Sequence, residues 1–179
     1  NKIRSKVIIV NYKKYLIYLK FIKNSYFNNL SNIQNLSFVL VLSKLLKIKF
    51  EKVFQAINRF KELNYRQQII YDTKNLRVIN DSKSTSLSST KVLLESFENI
   101  YWIVGGLAKK GDKLNLEKKY FKKVKAYIYG KDYKFFSNIL SKKIPFKVSK
   151  TLNASLKLVF EDLKKNNNKK IILFSPSAA

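Results

Sequence analysis

The stretch Val78-Ile79-Asn80-Asp81-Ser82-Lys83-Ser84-Thr85 decides how this chain folds. Leu76 to Ile79 suit a short strand, and from Ser86 onward Leu87, Thr90, Leu94 and Phe97 recur at helical spacing. A polar cluster therefore lies between a strand end and a helix start. In an open α/β sheet ligands bind at such junctions, because the helix N-terminus offers unpaired N–H groups and a positive dipole end to anions.

Downstream of this stretch, strands and helices alternate. The pattern predicts a helix over Ser86 to Phe97, a strand over Ile100 to Val104, a loop carrying Gly105, Gly106 and Gly111, and a helix over Leu114 to Lys122. A strand over Ala126 to Tyr129, a helix over Tyr133 to Leu140 and a short strand near Phe146 to Val148 follow. Last come a helix over Thr151 to Lys164, capped by Thr151 with Leu152, Leu156, Val159 and Leu163 as its buried stripe, and a strand over Ile171 to Phe174. Such alternation implies a mostly parallel sheet with right-handed crossovers. The strands' C-terminal ends then share one edge, gathering Asn80 to Thr85, Gly105 to Lys109, Gly130 and Ser175 to Ala179.

Upstream, strand Ile69 to Tyr71 returns as Leu76 to Ile79 after a turn at Asp72 to Asn75. Before it the pattern predicts strands at Val7 to Val10 and Tyr15 to Leu19, a loop over Asn24 to Ser31, and helices from about Asn32 to Ile48 and Phe50 to Leu63. The first helix leaves little polar face, since Leu36, Phe38, Val39, Leu40, Val41, Leu42, Leu45 and Leu46 crowd it, and burial on most sides is expected. The change from helical to alternating pattern puts a domain boundary near Tyr65, dividing residues 1–64 from 65–179.

Composition narrows the chemistry. The 179 residues contain no His and no Cys, so a thiol nucleophile, a thiolate metal site and the usual imidazole base are absent. The formal charge of +26 points in general to nucleic acid or an anionic membrane surface, yet Lys is spread over the whole chain and Arg occurs only at Arg4, Arg59, Arg66 and Arg77. Abundant Lys, Asn, Ile, Phe and Tyr with scarce Gly and Pro also fit an A/T-biased genome. No apolar run reaches the roughly 18 residues of a membrane span; Leu36 to Leu46 is too short. The lack of Met, at position 1 and elsewhere, and an end that follows directly on a strand predict a fragment cut at both ends, a processing product being the alternative.

Three of the four Gly residues fall in one loop after a strand, which implies close backbone approach to a ligand or turns with positive φ. The spacing matches neither a dinucleotide fingerprint nor a Walker loop. Taken with Asn80-Asp81-Ser82-Lys83-Ser84-Thr85 and Ser175-Pro176-Ser177-Ala178-Ala179, the Gly105-Gly106-x-x-Lys109 loop resembles the C-terminal domain of the Mur ligase family, closest to its D-glutamate-adding members. Asn32-Ile33-Gln34-Asn35 resembles the family's Asn-x-x-Asn in the ATP-binding central domain, although Asn32 also suits an ordinary helix cap. Arg66, fifteen positions before Asp81, resembles the family's interdomain arginine.

The resemblance implies a Rossmann-like C-terminal domain preceded by a helical end of the central domain. It implies an ATP-dependent ligase of peptidoglycan synthesis, cytoplasmic and monomeric, that adds D-glutamate to UDP-N-acetylmuramoyl-L-alanine through an acyl phosphate. Lys83, Thr85 and Lys109 match the positions that hold D-glutamate, though in so Lys-rich a chain solvated side chains are the alternative for both lysines. Asp81 and Arg66 match nucleotide contacts, and Asn32 and Asn35 would flank the adenine. No catalytic residue or Mg²⁺ ligand falls in the chain, since both would precede Asn1. The family's last D-glutamate contacts would follow Ala179. Ser31 and Tyr65 stand where the family has His, Ala108 where an acidic residue is common, and Ser84 where Ala is usual. A basic α/β module binding RNA or DNA, and a decayed enzyme, are the competing readings.

Overall fold

The computed structural model describes residues 7–61, 63–109, 111–165 and 168–178. Lys110 and Ala179, which belong to stretches singled out above, lie outside the described residues. The chain divides into two compact units, Asn1–Lys61 and Glu62–Ala179, a few residues upstream of the boundary read from the sequence.

The first unit is helical. A 3-10 helix, Tyr12–Phe21, and a short one, Ser25–Phe27, precede α1 (Leu30–Leu45) and α2 (Phe50–Arg59). The strands expected at Val7 to Val10 and Tyr15 to Leu19 do not form. Instead Tyr15, Tyr18, Leu19 and Ile22 pack on the small core of Leu36, Leu40, Val53 and Ile57, a spacing that suits a helical turn. α1 starts earlier than expected because Asn29 caps it, its side chain accepting the Asn32 N–H at 2.9 Å. Burial on most sides is also corrected: Phe38, Val39, Leu42, Leu45 and Leu46 are exposed.

The second unit is a six-stranded sheet in the order β1-β2-β6-β3-β4-β5, with β1 (Gln68–Asp72), β2 (Leu76–Asn80), β3 (Ile100–Gly105), β4 (Val124–Tyr129), β5 (Phe146–Val148) and β6 (Lys170–Phe174). Only β1 runs antiparallel, paired with β2 through the tight turn; the other neighbours are parallel. Helices α3 (Leu87–Ser96), α4 (Tyr133–Leu140) and α5 (Leu152–Leu163) make the crossovers. Successive residues of β3 bury on opposite faces: Trp102 and Val104 join Leu94, Phe136 and Leu140, while Tyr101 and Ile103 join Val159 of α5. A sheet covered on both faces explains why β3, β4 and β6 read as nearly continuous apolar runs.

One helix is missing from this unit. Leu114 and Leu116 are both buried two residues apart, an extended-chain spacing, and only Lys118–Lys123 coils, as a 3-10 helix.

Candidate functional site

Strands β2, β3, β4, β5 and β6 all end on one edge, and short bonds knit their ends together. The Asp81 N–H donates to the Phe174 carbonyl at 2.8 Å, Gly105 N–H to Pro176 at 3.1 Å, and Gly106 N–H to Tyr129 at 3.2 Å. Glycine is required here for packing of the protein on itself. A Cβ on Gly105, whose φ is +142°, would lie 2.0 Å from the Tyr129 carbonyl oxygen; one on Gly130 would lie 2.9 Å from the Gly106 nitrogen. Of the two roles expected for the loop glycines, positive φ is met at Gly105, Gly106 and Gly111, and the close approach at Gly105 is to the Tyr129 backbone.

Asp81 sits just past β2 and is buried. Its Oδ1 accepts the Gln67 N–H at 3.1 Å and its Oδ2 accepts the Ser175 hydroxyl at 3.0 Å. Burial pushes its carboxyl above the usual range, opposed by these two hydrogen bonds and by the charge of Arg66, which is itself exposed. Ser175 is held in turn by Trp102, whose Nε1 donates to the Ser175 carbonyl at 2.9 Å. Behind Asp81 lie further buried hydroxyls. Thr90 Oγ1 is 2.6 Å from Ser175 Oγ, 2.7 Å from Ser177 Oγ and 3.0 Å from Ser84 Oγ.

Lys83 and Thr85 follow on the turn between Asp81 and α3, both exposed, with the Lys83 N–H donating to the Tyr65 carbonyl at 3.1 Å. Lys109 is exposed on the glycine loop. Three residues later Asp112 Oδ2 accepts the Leu87 N–H at 2.6 Å, tying that loop to the first turn of α3. At the loop's other end Asp132 accepts the Ala108 N–H at 2.8 Å, and Ala108 bridges Ala178. The segments that carry Lys83, Thr85 and Lys109 are thereby fastened to one another. Lys83, Thr85 and Lys109 are exposed, so two ammonium groups and a hydroxyl are available to an anion at that edge.

Asn32 and Asn35 belong to the first unit. They line a cavity of about 310 Å³ with Tyr26, Phe27, Leu36, Val39, Ala56, Ile57 and Phe60. Asn32 is buried and its Nδ2 donates to the Tyr26 carbonyl at 2.7 Å, whereas Asn35 is exposed. Asn32 does not cap α1; Asn29 does. An aromatic-walled slot with one amide free to pair suits a planar heterocyclic base. Among the described residues no group of three or more His, Cys, Asp or Glu side chains could hold a metal ion.

Sequence reasoning places Ser175 and Ser177 at this edge without their hydroxyl contacts, and it misses Asp112 and Thr90. Thr90 reads as one more core position on the helical face of α3, and its distance of 85 residues from Ser175 leaves no local signal. Another buried carboxylate, Asp162 of α5, lies with the core of the opposite sheet face. Lys125, Lys147 and Tyr127 contact it at 2.7, 2.9 and 2.8 Å. With all partners inside the fold, it fastens α5 to β4 and β5.

No protein-family model matches the chain. Two similar curated proteins are both named UDP-N-acetylmuramoylalanine–D-glutamate ligase. The one from the Wolbachia of Brugia malayi is 32% identical over 152 residues, covering 85% of this chain and 30% of its own length. The other, from Rickettsia prowazekii, is 30% identical over 158 residues, covering 87% and 35%. The chain thus spans about a third of the length of the curated relatives it matches. Among solved structures, MurF from Acinetobacter baumannii superposes with a TM-score of 0.64 at 14% identity over 84% of the chain and 35% of its own. The UDP-N-acetylmuramate-alanine ligase of Thermotoga maritima gives 0.59 at 18% identity, with the same coverage. At such identities these structures establish the shared fold. No helix of the described residues is long and apolar enough to cross a membrane.

Proposed function

This chain belongs to the Mur ligase family, and on that premise we propose that it is part of an ATP-dependent ligase joining D-glutamate to UDP-N-acetylmuramoyl-L-alanine in peptidoglycan synthesis. In this reading the second unit receives the amino acid. D-glutamate brings two carboxylates, and the ammonium groups of Lys83 and Lys109 with the Thr85 hydroxyl meet them, offsetting the cost of taking the anions out of water. ATP, when bound, supplies the phosphoryl group that activates the carboxylate of the nucleotide substrate. Asn35, beside the Tyr26, Phe27 and Phe60 rings, holds the adenine edge, with Asn32 fixing the wall behind it. Arg66 offers its charge to the phosphates, and Asp81 engages the nucleotide.

The single observation that supports this reading best is the 2.6 Å bond from Leu87 to Asp112, because it joins the turn bearing Lys83 and Thr85 to the loop bearing Lys109. Calorimetric titration of the chain with D-glutamate tests it. Binding of D- over L-glutamate is expected, weakened at least ~10-fold by Lys83→Met or Lys109→Met, about 1.4 kcal/mol for a charged hydrogen bond. Equal binding of both enantiomers, or indifference to both substitutions, contradicts the assignment. In a phosphate-release assay with all substrates the chain by itself is expected to show no turnover; release above background would overturn the division of labour.

A further inference from the structure

We propose that Thr90 is a positioning residue: it is the junction of a buried hydroxyl relay that couples the charge of Asp81 to Ser84 and Ser177 at the rim of the site. The inference rests on the ligase reading for its consequence at the site, but its geometry is independent of any ligand.

Counting protons fixes the direction of each bond. A hydroxyl has one hydrogen to give and two lone pairs to receive. Ser175 gives its hydrogen to ionised Asp81, so the 2.6 Å contact between Ser175 and Thr90 must be donated by Thr90. Thr90 has then no hydrogen left, and the contacts at 2.7 Å from Ser177 and 3.0 Å from Ser84 must be donated towards it. Thr90 gives once and accepts twice, its full capacity. Ser84 in turn can only accept from Ser89 at 2.7 Å, and Ser89, exposed on the first turn of α3, has the Ser86 carbonyl at 2.7 Å as its alternative acceptor. Ser89 is where the ordered chain meets solvent.

All these bonds point one way because a carboxylate can only accept. When Asp81 takes a proton from solvent water it can donate to Ser175, and the order reverses: Ser175 gives to Thr90, and Thr90 to Ser84 or Ser177. Aligned hydroxyls polarise one another in a medium of low dielectric, so each bond is stronger while the order persists. The relay is closed to water, since Thr90 and Ser175 are 0% exposed, Ser177 1% and Ser84 6%. Ser177 holds its hydroxyl inward from a left-handed backbone, φ +55°, which a serine adopts only when its surroundings fix it. Ser84 stands between Lys83 and Thr85, and Ser177 beside Ala178, which packs on the glycine loop. The ionisation of Asp81 is thereby felt on both sides of the proposed amino-acid site. Other groups acting on Asp81 are the Gln67 N–H, the Arg66 charge and, more weakly, the Ser84 hydroxyl directly, while Lys83, two residues on, is exposed.

The test is the titration of Asp81 followed by carboxyl ¹³C NMR, without ligand, in the chain and in Thr90→Val and Thr90→Ser. Thr90→Val should raise the Asp81 midpoint by at least half a pH unit, because Ser175 loses the donor that polarises it, and Thr90→Ser should restore the original midpoint. A purely structural Thr90 would lower the melting temperature and leave the midpoint where it was, which overturns the proposal, as does failure of the serine variant to restore it. Should Thr90→Val not fold, Ser177→Ala, which reaches Asp81 only through Thr90, is expected to move the midpoint in the same direction by a smaller amount, and an unmoved midpoint there counts against the relay. A parallel D-glutamate titration separates the two ideas. A shifted Asp81 midpoint with no D-glutamate binding in any form keeps the relay and removes the ligase reading.

Discussion

The two units differ in how they dispose of apolar surface. In the second unit the buried residues of β3, β4 and β6 bear on α3 and α4 from one face and on α5 from the other, and the core is continuous from Ile79 to Leu173. In the first, four buried aliphatic residues carry the core, while Phe38, Leu42, Leu45 and Leu46 of α1 and its C-cap remain between 56% and 61% exposed. α1 is apolar on most of its surface, and the described residues cover only one of its faces. The sheet's stability is thus a property of its own unit, and that of α1 is less so.

The largest expected effect separates the units by a backbone clash. Gly105→Ala puts a methyl 2.0 Å from a backbone oxygen in β4, and should cost ~3 kcal/mol or more. Melting followed by the lone tryptophan, Trp102, should collapse, while helical circular dichroism from α1 and α2 persists; joint loss would show that the units fold as one. Next in size is Asp162→Ala, which leaves the buried Tyr127 hydroxyl without its acceptor and should cost about 2 kcal/mol. Lys125 and Lys147 are each about a third exposed and recover water. Burial alone would raise the Asp162 carboxyl, but bonds from Lys125, Lys147 and Tyr127 outweigh it and hold it below the usual range. Its contribution is therefore complete above the unfolded carboxyl value of about 4 and is lost as pH falls through the lower folded value. Melting curves of the chain should drop across that acid window, and those of Asp162→Ala should lack this component. Smallest is Asn29→Ala in the first unit, expected to cost ~1 kcal/mol of α1 stability through loss of the cap, read by circular dichroism. If it shifts the Trp102 melt equally, the contrast between the units fails.

The same contrast explains what could be read from the sequence. Strands buried on both faces announce themselves as apolar runs, and Ser86 and Thr151 mark helix starts because hydroxyl caps act locally, each accepting an N–H three residues on. Tyr15, Tyr18, Leu19 and Ile22 were legible only as helical spacing, and the alternation of short apolar runs with Lys masked it. Leu114 and Leu116 looked helical in composition, yet their extended burial depends on α3 and α4 being in place. At the site, the strand-to-helix junction exposed Lys83 and Thr85 to inspection. The roles of Thr90 and Asp112, and the hydroxyl partners of Ser175, were hidden because the groups they meet lie far along the chain, where no periodicity reaches. Ser84 was noted only as a departure from the family's alanine; in the fold it lies 3.0 Å from Thr90.

The central claim is that one dicarboxylate is held where the ends of β2, β3 and β6 meet. Amide chemical shifts of the ¹⁵N-labelled chain, followed while D-glutamate is added, test it most directly. The account expects the amides of Lys83 to Leu87, Gly106 to Lys109 and Ser175 to Ala178 to move together along one saturating curve. Shifts confined to one of these segments, or scattered over lysines remote from that edge, would contradict it.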